Sequence, residues 1–336
     1  MKPTDTASVR GLSLPRLGLG TAPLGGLFAS VSDSEAHATV ETGWDLGLRF
    51  FDTAPLYGYG SAERRLGAVL ADKPRDAFTL ATKVGRLLRK VTDGDGSDVD
   101  GTQMHKGQPF YRDTDEAVPV FDFSYDGALR SLEESLERLG VDRVDVVHVH
   151  GPDDHLDEAI NGACRALVEL RDEGVIGAVG AGIDYCAPAV RLVDEVDLDC
   201  VLIAGRMTLL DHEALSALLP RALERKVAVI AAGVFNSGVL AAPTLGATFD
   251  YVPCSPEVLA RARKLADVCA RHGVPLKAAA LQFPYRHPAV AAVVVGARSP
   301  AEIAENVELA GLELPAALWE ELSAECGVPE LPVGHP

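Results

Sequence analysis

The sequence predicts an α/β chain folded as a (β/α)8 TIM barrel, and three observations predict it. Eight short apolar, β-branched runs recur along the 336 residues, each continuous rather than alternating, as strands covered on both faces of a parallel sheet are. Amphipathic helical stretches separate them. No break in composition divides the chain, so a single barrel domain over residues 1–336 is expected.

The runs lie at residues 16–20, 49–53, 79–83, 144–150, 176–180, 201–204, 227–231 and 290–295. Behind the first, Ser32 and Glu35 form a capping box ahead of Ala36, Val40, Gly43 and Trp44, which share one helical face. Ala62, Leu66, Val69 and Leu70 repeat that spacing behind the second. Residues 85–124 then depart from simple alternation. They are rich in Asp and Gly (Asp93, Asp95, Asp98, Asp100) and carry Phe110, Tyr111, Phe121 and Phe123, so they predict a long active-site loop. As a calcium loop starting at Asp93 the segment fails, with Asp98 where glycine belongs and Met104 where glutamate does. Leu129, Leu132, Leu136 and Leu139 mark the next helix, closed by Gly140, and Gly174 closes the one after it. Residues 315–325 predict an extra C-terminal helix on the outside.

Composition excludes several classes. With 31 Lys plus Arg against 49 Asp plus Glu, the net charge of −18 repels phosphate backbones and anionic lipid, so no nucleic-acid or membrane partner is expected. The six cysteines are scattered without a C-x-x-C pair and read as reduced core thiols. The polar start, residues 1–10, lacks a signal peptide, and no apolar stretch spans a bilayer. A soluble, cytoplasmic protein is expected, monomeric or a small homo-oligomer.

In such a barrel, chemistry belongs at the C-terminal ends of the strands. Asp52 ends the second run, with Tyr57 five residues on; Lys83 ends the third and His150 the fourth. Each alone has a bland explanation, a surface charge or a core cap. Four on consecutive strands converge on one mouth. An ammonium at Lys83 would lower the tyrosine pKa from about 10, Asp52 would hold Lys83, and His150 would orient a substrate oxygen. Tyr57 then serves as acid or base in a carbonyl–alcohol conversion. A metal-dependent hydrolase is the competing reading: His148 and His150 share one strand face, with Asp52 and His155 nearby, but Lys83 and Tyr57 would be idle. His37, His212, His272 and His287 have no partners at ligand spacing, and Asp153 and Asp154 read as turn residues beside Pro152. Tyr59, Phe110, Tyr111 and Tyr125 are candidates to wall the pocket.

On these residues the chain resembles the aldo-keto reductase superfamily. Asp52-Thr-Ala-x-x-Tyr57, Thr82-Lys83 and the His150 strand end match its catalytic tetrad, while Gly20-Thr21 and Glu305-Asn306 fit its pattern at the first and eighth strands. The segments 52–60, 61–67, 82–88, 204–210 and 235–238 look like the branch of bacterial aldose 1-dehydrogenases (L-fucose or D-threo-aldose type) and pyridoxal 4-dehydrogenases. The resemblance implies an aldo-keto-reductase-type barrel with NAD or NADP extended across its mouth and no metal. The implied cofactor contacts are Gly20, Thr21, Asp52, Gly182, Asp184, Ala204, Phe235, Asn236, Ser237, Gly238, Gly296, Arg298, Glu302, Glu305 and Asn306.

Departures from the family pattern carry information. Gly151 stands where many reductases have tryptophan, which predicts a roomier, wetter pocket. Gly182-Ile183-Asp184 replaces the usual Ser-Asn pair, Ala204 a glutamine, and Ala232 falls near the tyrosine that stacks on nicotinamide, leaving Phe235 as substitute. Glu302 stands where NADP-binding members place arginine, and a carboxylate there favours NAD, while Arg298 can clamp a phosphate; the bland reading of Glu302 is a first-turn helix carboxylate. The expected activity is an NAD(P)-dependent oxidoreductase, most of all one oxidising an aldose such as L-fucose at C1 to the lactone. The alternatives are a pyridoxal 4-dehydrogenase, a general carbonyl reductase, and a non-catalytic cofactor-sensing subunit.

Overall fold

Eight parallel strands close into a barrel in sequence order: β1 (Leu17–Gly20), β2 (Phe50–Asp52), β3 (Thr79–Val84), β4 (Val146–His150), β5 (Ala178–Ile183), β6 (Cys200–Ala204), β7 (Ala228–Ala232) and β8 (Val290–Gly296), which pairs back with β1. In this computed structural model the described residues are 2–90, 104–105, 108–112, 114 and 117–331. Asp93, Asp95, Asp98 and Asp100, with most of the segment tested as a calcium loop, lie outside them.

Around the barrel run α1 (Asp33–Asp45), α2 (Ser61–Leu70), α3 (Tyr125–Leu139), α4 (Arg165–Asp172), α5 (Cys186–Glu195), α6 (Leu218–Arg225), α7 (Pro256–Arg271), α8 (Leu276–Gln282) and α9 (Pro300–Gly311). The expected helix α10 (Ala316–Cys326) follows and packs outside, on α7. Punctuation works as read. Ser32 Oγ accepts the Glu35 N–H at 3.2 Å, and Gly140 and Gly174 take the left-handed conformation at φ +66° and +77°. Such a cap contributes about 1 kcal/mol.

Alternation along the strands makes two apolar layers and aims the site. Phe50, Ala81 and Val146 point into the barrel, so Asp52, Lys83, His148 and His150, two or four residues on, point inward as well. Phe51, Leu80, Val147 and Val149 face the helices. Most of the inward layer is apolar at the strand starts, and a hairpin unanticipated from the sequence closes that end: Thr6–Val9 pairs antiparallel with Leu12–Pro15, and Val9 and Leu14 pack against Phe50, Val146 and Ile230. Polar groups are therefore left to the opposite, C-terminal mouth.

The long third loop has order of its own. Gly85 turns at φ +105°, where a side chain would run into the ring of Phe123. The strand Arg86–Lys90 then pairs antiparallel with Ala117–Phe121. A bridge between Leu27 and Tyr111 lays the middle of the loop across the mouth. Among the described residues, no helix is long and apolar enough to cross a membrane.

Candidate active site

At the mouth, Asp52, Tyr57, Lys83 and His150 meet as expected. Lys83 is buried and its ammonium donates to both Asp52 oxygens, at 2.8 and 2.6 Å, and to the Thr53 carbonyl at 2.9 Å. An ammonium has three donors, so these partners engage all of them. Burial is the largest influence on both members of the pair, raising the Asp52 carboxyl and lowering the Lys83 ammonium, each countered by the other's charge. Thr21 clamps Asp52 from behind, its N–H and hydroxyl both donating to the Asp52 carbonyl at 2.9 and 3.1 Å. Glu63, buried at the start of α2, accepts from Thr82 Oγ1 at 2.8 Å and Arg138 Nε at 2.6 Å, bracing β3 against α3.

Tyr57 stands on a backbone junction. A Cβ on Gly25 would lie 2.6 Å from Gly58 N, so the first loop can press against the Tyr57–Gly58 bond only because both residues are glycines. The Tyr57 ring lies 4.7 Å from Lys83 Nζ, 5.7 Å edge-on to His150 and 6.3 Å from Tyr111. Its pKa runs opposite to the sequence expectation: burial raises it well above 10, helped by Asp52, Tyr111, Tyr251 and Asp184. The reason is geometric, because Lys83 is spent on Asp52 and Thr53 and sits over the ring. Tyr57 thus keeps its proton. His150 is held well below 6.5 by burial, then by Arg86, Lys83 and His148, and stays a neutral imidazole.

His148 does not make a metal site. It is fully buried beside Lys83, its register partner on β3, neither ring nitrogen has a partner among the described residues, and Asp52 is taken by Lys83. His155 lies against Phe121 and Phe123, and among the described residues no three His, Cys, Asp or Glu side chains group to hold a metal. Burial lowers the His148 pKa to about 3. Between that value and about 6.5 the unfolded chain binds a proton the folded one refuses, so this residue costs stability as pH falls. His148→Leu is expected to be more stable than the unaltered protein by about 2 kcal/mol at pH near 5 and by less at pH near 8. Urea unfolding at both pH values checks this, and an equal difference at the two would refute it.

The remaining mouth residues come from five loops. Gly182 lies over Lys83, where a Cβ would sit 3.4 Å from Cε. Asp184, open to the mouth, has its carboxyl pushed up to about 6, first by loss of water and then by Asp153; the solvent that still reaches it limits the effect. Ala204 and Ala232 stand in register, two small residues that widen that side. Phe235 is faced by Lys277 at 5.5 Å. Asn236 donates to the Gly205 carbonyl at 3.1 Å and Ser237 Oγ accepts the Tyr251 N–H at 3.0 Å, with Gly238 at φ +113° behind them. A Cβ at Gly20 would meet Val294 at 2.8 Å and one at Gly296 would meet Pro23 at 2.7 Å, which keeps the chain close over β1 and β8.

At the eighth loop the bland reading of Glu302 gains ground. Its Oε2 accepts the Arg298 N–H at 2.8 Å and its own N–H is capped by Ser299 Oγ at 3.3 Å. Arg298 Nη2 donates to the Leu27 carbonyl at 3.2 Å, Glu305 pairs with Lys277, and Asn306 donates to the Gly296 carbonyl at 3.3 Å. Three buried polar atoms here have no partner among the described residues: Asn236 Oδ1, Asn306 Oδ1 and Arg298 Nε. Buried polar groups are normally hydrogen-bonded. Two acceptors and a donor awaiting partners around the seventh and eighth loops suit a polar, extended ligand such as a nicotinamide dinucleotide.

Sequence reading missed three participants. Arg206 ties three loops together, donating to the Asp184 carbonyl at 2.8 Å, to Asp250 at 2.8 Å and to Asp211 at 3.1 Å. Tyr251 arrives from the seventh loop and meets Phe28 and Phe110 at 5.7 Å each. Arg86 donates to the His150 carbonyl. Of the aromatics expected at the pocket, Tyr59, Phe110 and Tyr111 are there, whereas Tyr125 turns away to donate to Glu169 at 2.6 Å.

Fold and comparison together define an oxidoreductase acting on CH–OH groups, built on a parallel barrel. Residues 16–324 match the Aldo/keto reductase family, and the chain belongs to that family, which uses NAD(P)H. It is 43% identical to a D-threo-aldose 1-dehydrogenase of Pseudomonas sp over 94% of this chain and 95% of that one. It is 42% identical to the pyridoxal 4-dehydrogenase of Microbacterium luteolum, again over 94% and 95%. These relatives fall in the branch read from the sequence. Among solved structures, the holo form of an aldo-keto reductase from Bacillus halodurans superimposes with a TM-score of 0.72 over 98% of this chain and 99% of that one, at 22% identity, a likeness of fold.

Proposed function

We propose that this protein oxidises the anomeric carbon of a cyclic aldose to the lactone, with NAD as the preferred acceptor. The observation that carries the reading is the convergence of Tyr57, His150 and the buried Asp52–Lys83 pair at one mouth, in a chain 43% identical to a D-threo-aldose 1-dehydrogenase. Gly20, Thr21, Asn236, Ser237, Gly238, Arg298 and Asn306 would hold the dinucleotide, which when bound supplies the hydride acceptor. In reduction Tyr57, protonated at rest, gives its proton to the carbonyl oxygen; in oxidation it must first lose that proton to solvent, and the phenolate then takes the proton of the anomeric hydroxyl. Neutral His150 donates to the same oxygen and fixes its direction. Lys83 and Asp52 form a neutral buried pair against the Tyr57 ring, with Lys83 Nζ 4.7 Å from its centre, and so fix the position of the ring. Preference for NAD rests on charge alone: Glu302, though its Oε2 is engaged by the Arg298 N–H, leaves a carboxylate at the start of α9 that would repel a 2′-phosphate.

Formation of reduced nicotinamide with L-fucose, D-arabinose, L-galactose, L-glucose or pyridoxal, each with NAD and with NADP, tests the reading. The expected result is turnover of an aldose with NAD. Turnover of pyridoxal alone would replace the substrate, and silence throughout with the dinucleotide still bound would favour a carbonyl reductase or a cofactor-sensing role.

A further inference from the structure

Next to His150 the chain carries no side chain. Gly151 adopts φ +51°, and a Cβ placed on it would stand 3.4 Å from Arg86 Nη2 and 3.6 Å from Asp153 Oδ2. The missing side chain therefore leaves a slot with a guanidinium and a carboxylate on its walls. Both walls are fixed. Arg86 follows the left-handed turn at Gly85, donates to the His150 carbonyl, and lies over the Phe121 ring at 4.7 Å, while its own carbonyl accepts from Ser131 Oγ at 3.1 Å. Asp153 begins the short turn after Pro152, and its Oδ1 is buried without a hydrogen-bond partner among the described residues. The oxygen on the slot side is Oδ2, and on this half-buried carboxylate it can accept a hydrogen bond from a ligand.

A hydroxyl is the group that fits between them, because it accepts from the guanidinium and donates to the carboxylate at once. We propose that the Gly151 slot is a hydroxyl-recognition subsite in which Arg86 and Asp153 bind the hydroxyl on the carbon next to the reacting one of a cyclic polyol. The proposal rests on the aldose reading above. It also separates the two activities named among the relatives, since the ring carbon bonded to the aldehyde carbon of pyridoxal bears no hydroxyl.

D-Arabinose and 2-deoxy-D-ribose differ by that one hydroxyl and are the probes. The unaltered protein is expected to favour D-arabinose in kcat/KM by about 10–100-fold, the worth of a hydrogen bond to a charged group. In Asp153→Asn and Arg86→Met the two sugars become nearly equal, chiefly through a rise in KM for D-arabinose. Damage to His150 alone would slow both sugars alike and leave their ratio unchanged. Gly151→Asn fills the slot with a residue that tolerates positive φ and is expected to abolish the preference in the same way. A protein that does not distinguish the sugars, or a ratio unchanged in all three variants, overturns the proposal. If neither these sugars nor the other aldoses of the panel are oxidised, the aldose reading fails, and calorimetric titration with both sugars still decides the subsite. D-Arabinose binding that weakens about tenfold in Asp153→Asn sustains it, and equal or absent binding of the two sugars ends it.

Discussion

Tyr57→Phe is expected to slow turnover of every substrate by about 10²–10⁴-fold, the range of a lost acid/base group, while dinucleotide and sugar binding persist. Phenylalanine keeps the ring that meets His150 at 5.7 Å and Tyr111 at 6.3 Å, so only the hydroxyl is removed. The other three members of the cluster cannot stand in for it. His150 is held neutral well below its ordinary pKa, Lys83 has its three donors engaged, and Asp52 is enclosed behind Lys83. Because burial keeps Tyr57 protonated far above neutrality, the reductive direction should be insensitive to pH across the neutral range. The oxidative direction needs the proton removed and should accelerate as pH rises. Single-turnover rates in both directions, with titration of the dinucleotide, check this. Near-normal rates in Tyr57→Phe, or an oxidative rate that falls with alkalinity, would move the acid/base role to another group.

The convergence of Asp52, Lys83 and His150 on one mouth was legible because barrel strands alternate in and out. Once eight strands are read and Phe50, Ala81 and Val146 are assigned inward, Asp52, Lys83 and His150 follow by parity, and the fold sends strand ends to one mouth. Tyr57 needed the motif, since it lies past its strand. What parity cannot supply is contact between loops. Tyr251 reaches the mouth through a hairpin whose Asp250 and Tyr251 both adopt positive φ, at +46° and +63°, with no glycine to announce the turn. Arg206 stood in a quoted segment, yet its three carboxylate and carbonyl partners come from separate loops. The N-terminal hairpin turns on Arg10 and Gly11, too short a signal beside a polar start. The Tyr57 pKa was misread for a related reason. A neighbouring lysine is visible in the sequence, but whether its charge is free or engaged is a fact of three-dimensional geometry.

The buried Asp52–Lys83 pair should give the second large effect, and its signature is a pair of opposite slopes. Removing either partner from a fully buried pair costs about 3–5 kcal/mol, because an uncompensated charge is left in the barrel. In Lys83→Met the survivor is the Asp52 carboxyl, which burial raises above 3.8. Its folded form then holds a proton that the unfolded chain has released, so stability is greatest at low pH and is lost as pH rises through the raised value. In Asp52→Asn the survivor is the Lys83 ammonium, which burial lowers below 10.5. There the unfolded chain holds the extra proton, so stability falls as pH drops through the lowered value and recovers toward alkaline pH. Urea unfolding of both variants at about pH 5 and about pH 9 should therefore tilt in opposite directions. The double replacement Asp52→Leu with Lys83→Met leaves no buried charge and should recover much of the loss. Parallel tilts, or losses that simply add in the double variant, would mean that the two groups do not share one buried charge balance. The floor beneath Tyr57 would then be held by the Thr53 carbonyl and the packing of β2 on β3 instead of by the ion pair.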